Sequence, residues 1–402
     1  MQNQHRKVCV IGLGYIGLPT AALLANRGYQ VHGVDVVKHV VDTINKGEIH
    51  IIEPDLDAFV HSAVNSGHLK ADTKPAEAEV FMIAVPTPFH EDQSPNIDYV
   101  IAATKAIAKV VKPGNAIILE STSPVGTTEL VKATLDEAGI DTSTLFFAYC
   151  PERVLPGQVM KELIENDRIV GGLNPESTSV VAAFYRNFVK GEVLETNAKT
   201  AEMCKLTENA SRDAGIAFAN ELSIICDKIG IDVWELISLA NKHPRVNILK
   251  PGPGVGGHCI AVDPWFIVHR TPKEAKLIRT AREVNNYKTE WAIEKILRHA
   301  FEWKSTQGTI PKLAVMGLAF KPEIDDLRES PALHIYQKLK SEAIVLMPVE
   351  PHIEEFEGKP LTGPAEAVAQ ADIIVFLVAH KAFKKLKIDS SKVVIDFCGF
   401  LQ

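Results

Sequence analysis

Lys7-Val8-Cys9-Val10-Ile11-Gly12-Leu13-Gly14-Tyr15-Ile16-Gly17 reads as a buried strand that breaks into a glycine turn and enters a helix reaching about Asn26. The apolar run gives the strand, and Gly12, Gly14 and Gly17 let the backbone turn tightly and press close to a ligand. A helix that starts at such a turn offers unpaired N–H groups and the positive end of its dipole, a setting that favours phosphate. The next strand-like run, Val31-His32-Gly33-Val34, ends at Asp35, near the spacing of an acid that receives a ribose 2′-hydroxyl. Strand, G-x-G-x-x-G, helix and acid together predict a dinucleotide-binding α/β domain. The carboxylate of Asp35 favours NAD over NADP, since it would repel a 2′-phosphate.

A chain of 402 residues has room for two or three domains with sizeable cores. Its 46% hydrophobic and 23% charged residues are those of an ordinary soluble protein. The net charge of −7 speaks against a nucleic-acid binder or a protein of membrane surfaces, which need an excess of Lys and Arg. The six cysteines, Cys9, Cys150, Cys204, Cys226, Cys259 and Cys398, form no C-x-x-C pair and no disulfide-like or zinc-like spacing, so a reducing cytoplasm and no bound metal are expected. His5-Arg6-Lys7 ahead of the apolar run Val8–Ala25 imitates a signal peptide or a membrane span, but three glycines and Pro19 interrupt that run.

Further strands are expected at Val80–Val85, Ala116–Glu120 and Phe146–Cys150. Their exits are Pro86-Thr87-Pro88, Ser121-Thr122-Ser123-Pro124-Val125-Gly126 and Pro151-Glu152-Arg153-Val154-Leu155-Pro156-Gly157. Ligands of open α/β sheets lie beyond the carboxyl ends of strands, so Thr87 and Thr122 are placed to touch cofactor or substrate, and the third exit adds an acid, Glu152, and a base, Arg153. Either hydroxyl alone would more often cap a turn. From Thr200 the pattern becomes helical. At about 100° per residue, Lys205, Asn209 and Arg212 fall on one narrow polar stripe, opposite Leu206, Ala210, Ala214 and Ala217. The stripe continues into Ile216 and Ala219 and not into more charge, which points to a mostly buried helix whose polar patch faces a cavity.

A helix near Asp232–Asn241 leads into His243-Pro244-Arg245-Val246-Asn247 and then Pro251-Gly252-Pro253-Gly254-Val255-Gly256-Gly257. The latter forbids helix and strand and can bring its amides against a ligand. Cys259 stands at its exit, with Asp263 four residues on, near the sulfur if the chain there turns helically. A cysteine among apolar neighbours is ordinarily an inert buried hydrophobe; the surrounding motifs make a nucleophilic thiol the preferred reading. A long helix, Glu274–Arg298, follows. A second α/β unit begins at Leu313–Gly317, with strands near Ala343–Met347, Ile373–Val378 and Val393–Asp396. It carries Gly317-Leu318-Ala319-Phe320-Lys321-Pro322 in place of G-x-G-x-x-G and is not expected to hold its own dinucleotide.

Taken together, these motifs resemble those of the UDP-glucose/GDP-mannose dehydrogenase family over nearly the whole chain, most closely its UDP-N-acetyl-D-mannosamine branch. The marks are G-L-G-Y-I-G-L-P at 12–19, A-V-P-T-P at 84–88, E-S-T-S-P-V-G at 120–126 and C-P-E-R-V-L-P-G at 150–157. A-E-M-C-K-L-T-E-N at 201–209, H-P-R-V-N-I at 243–248, P-G-P-G-V-G-G-H-C at 251–259 and G-L-A-F-K-P at 317–322 complete them. The resemblance implies an α/β fold of two Rossmann-like domains joined by a central all-helical domain with a long connecting helix. The NAD-binding domain would span 1–198, the helical, dimerising centre with the catalytic cysteine loop 199–305, and the UDP-sugar-binding domain 306–402.

The resemblance also implies that Cys259 is the nucleophile, Lys205 an acid/base or oxyanion partner, and Asn209 and Asp263 positioners of water, with Asp263 and Glu152 as candidate bases. Gly12, Gly14, Tyr15, Ile16, Gly17, Asp35, Thr87, Thr122 and Arg328 would meet NAD. Arg153, Val154, Lys205, Asn209, Arg212, His243, Arg245, Gly256, Phe320 and Lys321 would hold the sugar nucleotide, with His243 and Arg245 reaching a partner subunit's site. Val154-Leu155-Pro156-Gly157 lacks the second acid common in UDP-glucose enzymes, and Cys398 stands where relatives often carry a basic residue in a D-x-[KR] pattern.

The implied activity is four-electron oxidation of the C6 alcohol of UDP-N-acetyl-D-mannosamine through a thiohemiacetal and a thioester on Cys259, with UDP-N-acetylglucosamine or UDP-glucose as alternative substrates. Two rivals stand beside it: a single-hydride dehydrogenase of the 6-phosphogluconate type, which has no use for Cys259, and a catalytically idle nucleotide-sugar-binding regulator.

Overall fold

The computed structural model describes residues 6–90, 92–155, 157–257 and 259–401, so His5, Pro156 and His258 of the stretches quoted above lie outside the described residues. The chain forms two compact units, Met1–Thr207 with Trp265–Arg270, and Glu208–Pro264 with Thr271–Gln402.

In the first unit the strands are β1 (Lys7–Ile11), β2 (Gln30–Val34), β3 (Leu69–Asp72), β4 (Val80–Ile83), β5 (Ala116–Leu119), β6 (Phe146–Tyr149), β7 (Arg168–Gly172) and β8 (Val193–Asn197). They form one sheet in the order β3-β2-β1-β4-β5-β6-β7-β8. Every neighbouring pair is parallel except β6 with β7. Helices α1 (Gly17–Asn26), α2 (Lys38–Asn45), α3 (Leu56–Asn65), α4 (Asp98–Ile107), α5 (Thr127–Glu137), α6 (Val159–Glu165) and α7 (Pro175–Tyr185) lie among them in the chain. β1 shows why the sheet is covered on both faces. Val8 and Val10 pack in one core layer with Leu24, Val60 and Phe184, whereas Cys9 and Ile11 pack in the other with Ile107 and Leu135, the two-residue period of a strand. Because β2 lies on one side of β1 and β4 on the other, the sheet's switch point falls at the end of β1, where the glycine turn sits.

β4, β5 and β6 end one or two residues before the expected limits, yet Ala84, Glu120 and Cys150 just beyond still donate to the neighbouring strand. β7 and β8 extend the sheet past the expected strands. β8 is mostly exposed and its Glu195-Thr196-Asn197 end is polar, so no apolar run announces it.

α8 (Ala198–Ile229) starts in the first unit and continues into the second, as α10 (Asp263–Arg270) ends in the first; α9 (Val233–Ala240) and α11 (Lys276–Gln307) belong to the second. Asp232 caps α9, accepting from Trp234 and Glu235 N–H. α11 runs past the expected Arg298 until Gly308, whose φ of 71° closes the helix. A parallel sheet of order β10-β9-β13-β14 comes next, formed by β9 (Lys312–Met316), β10 (Val345–Val349), β13 (Ile373–Phe376) and β14 (Val393–Asp396). α12 (Pro331–Leu339), the short hairpin β11 (Glu355–Phe356) with β12 (Lys359–Pro360), and α13 (Pro364–Gln370) complete it. β9 repeats the logic of β1: Leu313 and Val315 pack with Ile296 of α11 and Ile335 of α12, and Ala314 and Met316 with Phe376 and Phe383. No helix among the described residues is long and apolar enough to cross a membrane.

α8 and α11 also share a buried lysine site. Lys288 is 2% exposed, donates to Ser223 Oγ at 2.7 Å and lies 3.8 Å from the Trp291 ring centroid. Burial, then the nearby Lys295, lower its pKa from 10.5 to about 7 against the pull of Asp227. The unfolded chain therefore binds one more proton than the folded chain between about pH 7 and the ordinary lysine value, so this group adds stability as pH rises through that window; below it, the charge is buried at full penalty. Relative to Lys288→Met, the wild type should gain up to about 1.4 kcal/mol per pH unit above pH ~7. Urea melts of both chains at neutral and mildly alkaline pH check this, and a difference independent of pH would show that the ammonium is not desolvated.

Candidate active site

Gly12 takes φ 92°, and a Cβ there would lie 2.6 Å from Ala84 O. A Cβ on Gly17 would sit 1.7 Å from Gly12 O. The turn itself demands these two glycines. Gly14 differs, because a Cβ there would meet nothing within 4 Å. Its missing side chain leaves the approach to the N-terminus of α1 open, as a pyrophosphate requires. Exposed Tyr15 and half-buried Ile16 stand beside it. Asp35 is fixed against the turn: it accepts from Leu13 N–H at 3.1 Å and Val37 N–H at 2.9 Å. Turn, open approach and acid fit NAD. Thr87 Oγ1 donates to Thr122 O at 2.5 Å and so ties the exits of β4 and β5 together. Glu202 holds the latter exit from α8, accepting from Gly126 N–H at 2.7 Å and from Thr128 N–H at 2.8 Å.

The exit of β6 is organised by Arg168, which the sequence reading did not single out. Its Nη1 lies 2.6 Å from Glu152 Oε2, both side chains being buried. Glu152 Oε1 accepts from Arg153 N–H at 2.6 Å, so both oxygens of this candidate base are engaged. Glu120 accepts from the Tyr185 hydroxyl at 2.6 Å, and burial together with the charge of Glu152 pushes it up to about 7. The Arg153 guanidinium reaches Asp167 O at 3.3 Å, and Val154 packs on the core.

In the second unit the helical turn expected after Cys259 is present. Val262 and Asp263 N–H donate to Cys259 O at 3.0 and 2.9 Å, and α10 begins at Asp263. The thiol is half-buried and Asp263 buried. Asp263 Oδ2 accepts from Asn209 Nδ2 at 2.5 Å, which joins α8 to the segment that carries the cysteine. Lys205 lies one turn before Asn209 on α8 and is half-buried like it, whereas Arg212 is exposed. The stripe is thus partly covered near Lys205 and Asn209 and open to solvent at Arg212.

The glycine loop is held by two residues that the sequence reading passed over. Asn220 Oδ1 accepts from Gly252 N–H at 2.8 Å, and Thr289 Oγ1 donates to Pro253 O at 2.9 Å. A polar Asn220 after Ile216-Ala217-Phe218-Ala219 was the available signal. Gly256 packs so closely that a Cβ would lie 2.3 Å from Glu329 O and 3.1 Å from Phe320 Cβ. Loop and Phe320 are therefore neighbours, with Lys321 exposed beside them. Asn241 bonds both N–H and C=O of Ile248, bracketing an exposed segment that contains His243 and Arg245. Arg328 forks onto Asp326 at 2.7 to 3.1 Å, and the Cys398 thiol donates to Asp396 Oδ1 at 3.5 Å.

Comparison with family models matches residues 6–189 to the NAD binding domain, 199–287 to the central domain and 314–402 to the UDP binding domain of one group. The chain belongs to the UDP-glucose/GDP-mannose dehydrogenase family. Members are NAD-dependent sugar-nucleotide dehydrogenases, and the cofactor of this chain is NAD. A Campylobacter jejuni protein named UDP-N-acetyl-D-mannosamine dehydrogenase is 56% identical over 98% of this chain and 100% of its own. A Ralstonia solanacearum NDP-N-acetyl-D-galactosaminuronic acid dehydrogenase is 53% identical over 99% and 97%. Among solved structures, a UDP-D-ManNAc dehydrogenase from Pyrococcus horikoshii superposes with a TM-score of 0.90 at 36% identity, covering 98% of this chain and 96% of that one.

The contrast between the glycines is testable. Gly14→Ala should fold with a wild-type Tm but weaken NAD binding at least tenfold, because its Cβ enters the open space at the N-terminus of α1. Gly17→Ala should fail at the level of folding, because its Cβ meets backbone. Calorimetry with NAD and thermal melts check the pair; equal NAD affinity in Gly14→Ala and wild type would move the cofactor away from this turn.

Proposed function

We propose that the chain oxidises the C6 alcohol of UDP-N-acetyl-D-mannosamine to the carboxylate, using two NAD⁺ per turnover and Cys259 as covalent nucleophile. The observation that carries this reading is the Cys259–Asp263 turn with Asn209 bonded to the carboxylate, in a chain 56% identical to a protein named for that substrate. The Ralstonia relative favours a second reading on the sugar alone, an N-acetylgalactosamine configuration.

Bound NAD supplies an acceptor for hydride at each oxidation. The thiolate of Cys259 adds to the C6 aldehyde and forms a C–S bond; oxidation of this thiohemiacetal gives a thioester, and water replaces sulfur to release carboxylate and thiol. Holding the aldehyde covalently prevents its escape between the two oxidations. Lys205 and Asn209 donate to the oxyanion at C6, a contribution whose loss costs on the order of 10²–10³ in rate. Asp263, oriented by Asn209, takes the proton of the attacking water. Glu152, engaged with Arg168, acts by holding the β6 exit with Arg153 and Val154. Arg212, Arg245, His243 and Lys321 meet the diphosphate, where the local field outweighs the net negative charge. Gly256 and Phe320 shape the sugar-nucleotide side, and Arg328 turns from Asp326 to NAD.

We propose functional boundaries at 198/199 and 305/306; α8 starting at Ala198 and α11 ending at Gln307 support them. Six scattered cysteines with no disulfide among the described residues support a cytoplasmic enzyme. We also propose a homodimer through the central helices. Phe218 (55%), Ile225 (45%) and Ile229 (62%) expose large apolar side chains along α8, as an uncovered interface does. Sedimentation should give twice the chain mass and Phe218→Glu should lower it; a wild-type monomer at micromolar concentration would remove the dimer.

With UDP-N-acetyl-D-mannosamine the enzyme should form two NADH per uronate and prefer this sugar over UDP-glucose, UDP-N-acetylglucosamine and UDP-N-acetylgalactosamine. One NADH per sugar would eliminate the thioester, and preference for another sugar would reassign the substrate. Cys259→Ser should still bind UDP-sugar and NAD but lose turnover by at least 10³ (about 4 kcal/mol); sustained uronate production by that variant contradicts covalent catalysis.

A further inference from the structure

We propose that the carboxyl end of the second sheet is a binding site for a first-row divalent ion of the zinc type, held by His380 Nδ1, His352 Nε2 and Glu323 Oε1. Among the described residues these three form a group whose ligand atoms all lie within 4.8 Å of one another. Both histidines stand 3.9 Å from Glu323 Oε1.

The three residues come from the exits of three neighbouring strands: Glu323 follows β9, His352 follows β10 and His380 follows β13. With β10 on one side of β9 and β13 on the other, this is the switch point of the sheet, the place where open α/β sheets hold ligands. His380 is already set as a ligand. It is fully buried; its Nδ1 accepts from Glu323 N–H at 3.1 Å, so the ring proton is on Nε2, 3.2 Å from buried Glu350 Oε2. Glu350 in turn is fixed by Leu318 and Ala319 N–H at 2.8 and 3.0 Å. A carboxylate bonded to the far nitrogen of a histidine is the outer shell that orients imidazole ligands and raises their basicity.

An ion would replace the hydrogen bond from Glu323 N–H to Nδ1 and displace Lys381 Nζ, which lies 3.6 Å from Glu323 Oε2 and is exposed enough to swing away. Ligand bonds of about 2.0–2.1 Å bring tetrahedral ligands to roughly 3.4 Å apart, so the partly exposed Glu323 and His352 side chains must close the separations by about 0.5–1.4 Å. Two imidazoles and one carboxylate select zinc-type ions over Mg²⁺, which needs oxygen ligands. Glu323 is two residues from Lys321, so the ion would also fix the segment carrying Phe320 and Lys321.

The test is calorimetric titration of the chelator-stripped chain with Zn²⁺ and with Mg²⁺, in wild type and in Cys259→Ser, where the thiol cannot compete. The expected result in Cys259→Ser is one Zn²⁺ per chain at micromolar affinity or tighter, a rise in Tm on saturation, and no heat with Mg²⁺. His352→Ala and Glu323→Gln, both at partly exposed side chains, should each weaken Zn²⁺ binding at least tenfold without changing the Tm of the ion-free chain. No Zn²⁺ binding, or binding that both substitutions leave unchanged, overturns the proposal. Because the readout is binding and not turnover, its failure leaves the dehydrogenase reading untouched.

Discussion

A loop made of glycine and proline has almost no side chains with which to hold itself, so the position of Pro251–Gly257 depends on the amide of Asn220. That side chain is fully buried and committed at both ends: its oxygen takes Gly252 N–H, and its nitrogen donates to Asn285 Oδ1 at 2.9 Å. Asn285 donates to Asp213 Oδ1 at 2.8 Å, and Arg282 Nη1 meets the same oxygen at 2.7 Å. Burial pushes the Asp213 carboxyl up, and Arg282 and Asn285 offset only part of this. Removing any member leaves a buried polar group without its partner, at about 1–3 kcal/mol each, and leaves Arg282 or Asp213 as an uncompensated buried charge in the worst case. α8 and α11 therefore fix the loop as a unit. α8 also carries Asn209, so the residue that orients Asp263 and the residue that seats the glycine loop share one helix.

Such cooperation explains what could be read from the sequence. The glycine turn, Asp35 and the Cys259–Asp263 turn are local: each is decided by residues within a few positions, where periodicity and glycine content speak. Asn209 was legible as part of a stripe, although the stripe opens to solvent at Arg212 and does not stay buried along its length. Arg168, Glu202 and Thr289 were not legible, and Asn220 showed only as a polar residue after an apolar run, because their partners stand 16, 76, 36 and 32 residues away. A strand arginine between Asp167 and Ile169 looks like decoration until the fold places Glu152 against it. The exposed β8 gave no apolar run, and α11 outlasted its expected end because nothing before Gly308 stops it.

The two sheets make the same turn and use it differently. Gly12 N–H donates to Val34 O and Gly317 N–H to Val349 O, both at 2.8 Å, with φ values of 92° and 98°. In each, the acid ending the second strand accepts from the residue after the glycine: Asp35 from Leu13, Glu350 from Leu318. The two part ways at the next position. Gly14 leaves open space beyond the first turn, whereas the second turn has Ala319 and Phe320 there, and Ala319 N–H is bound to Glu350 as well. Burial raises the Glu350 carboxyl, but hydrogen bonds from His380 and the two amides outweigh it and hold the acid below its usual range. A charged carboxylate thus already occupies the amides that would face a phosphate. An incoming pyrophosphate would have to displace that carboxylate and then sit beside its charge, so the second turn serves as an internal brace while the first is left free for the cofactor.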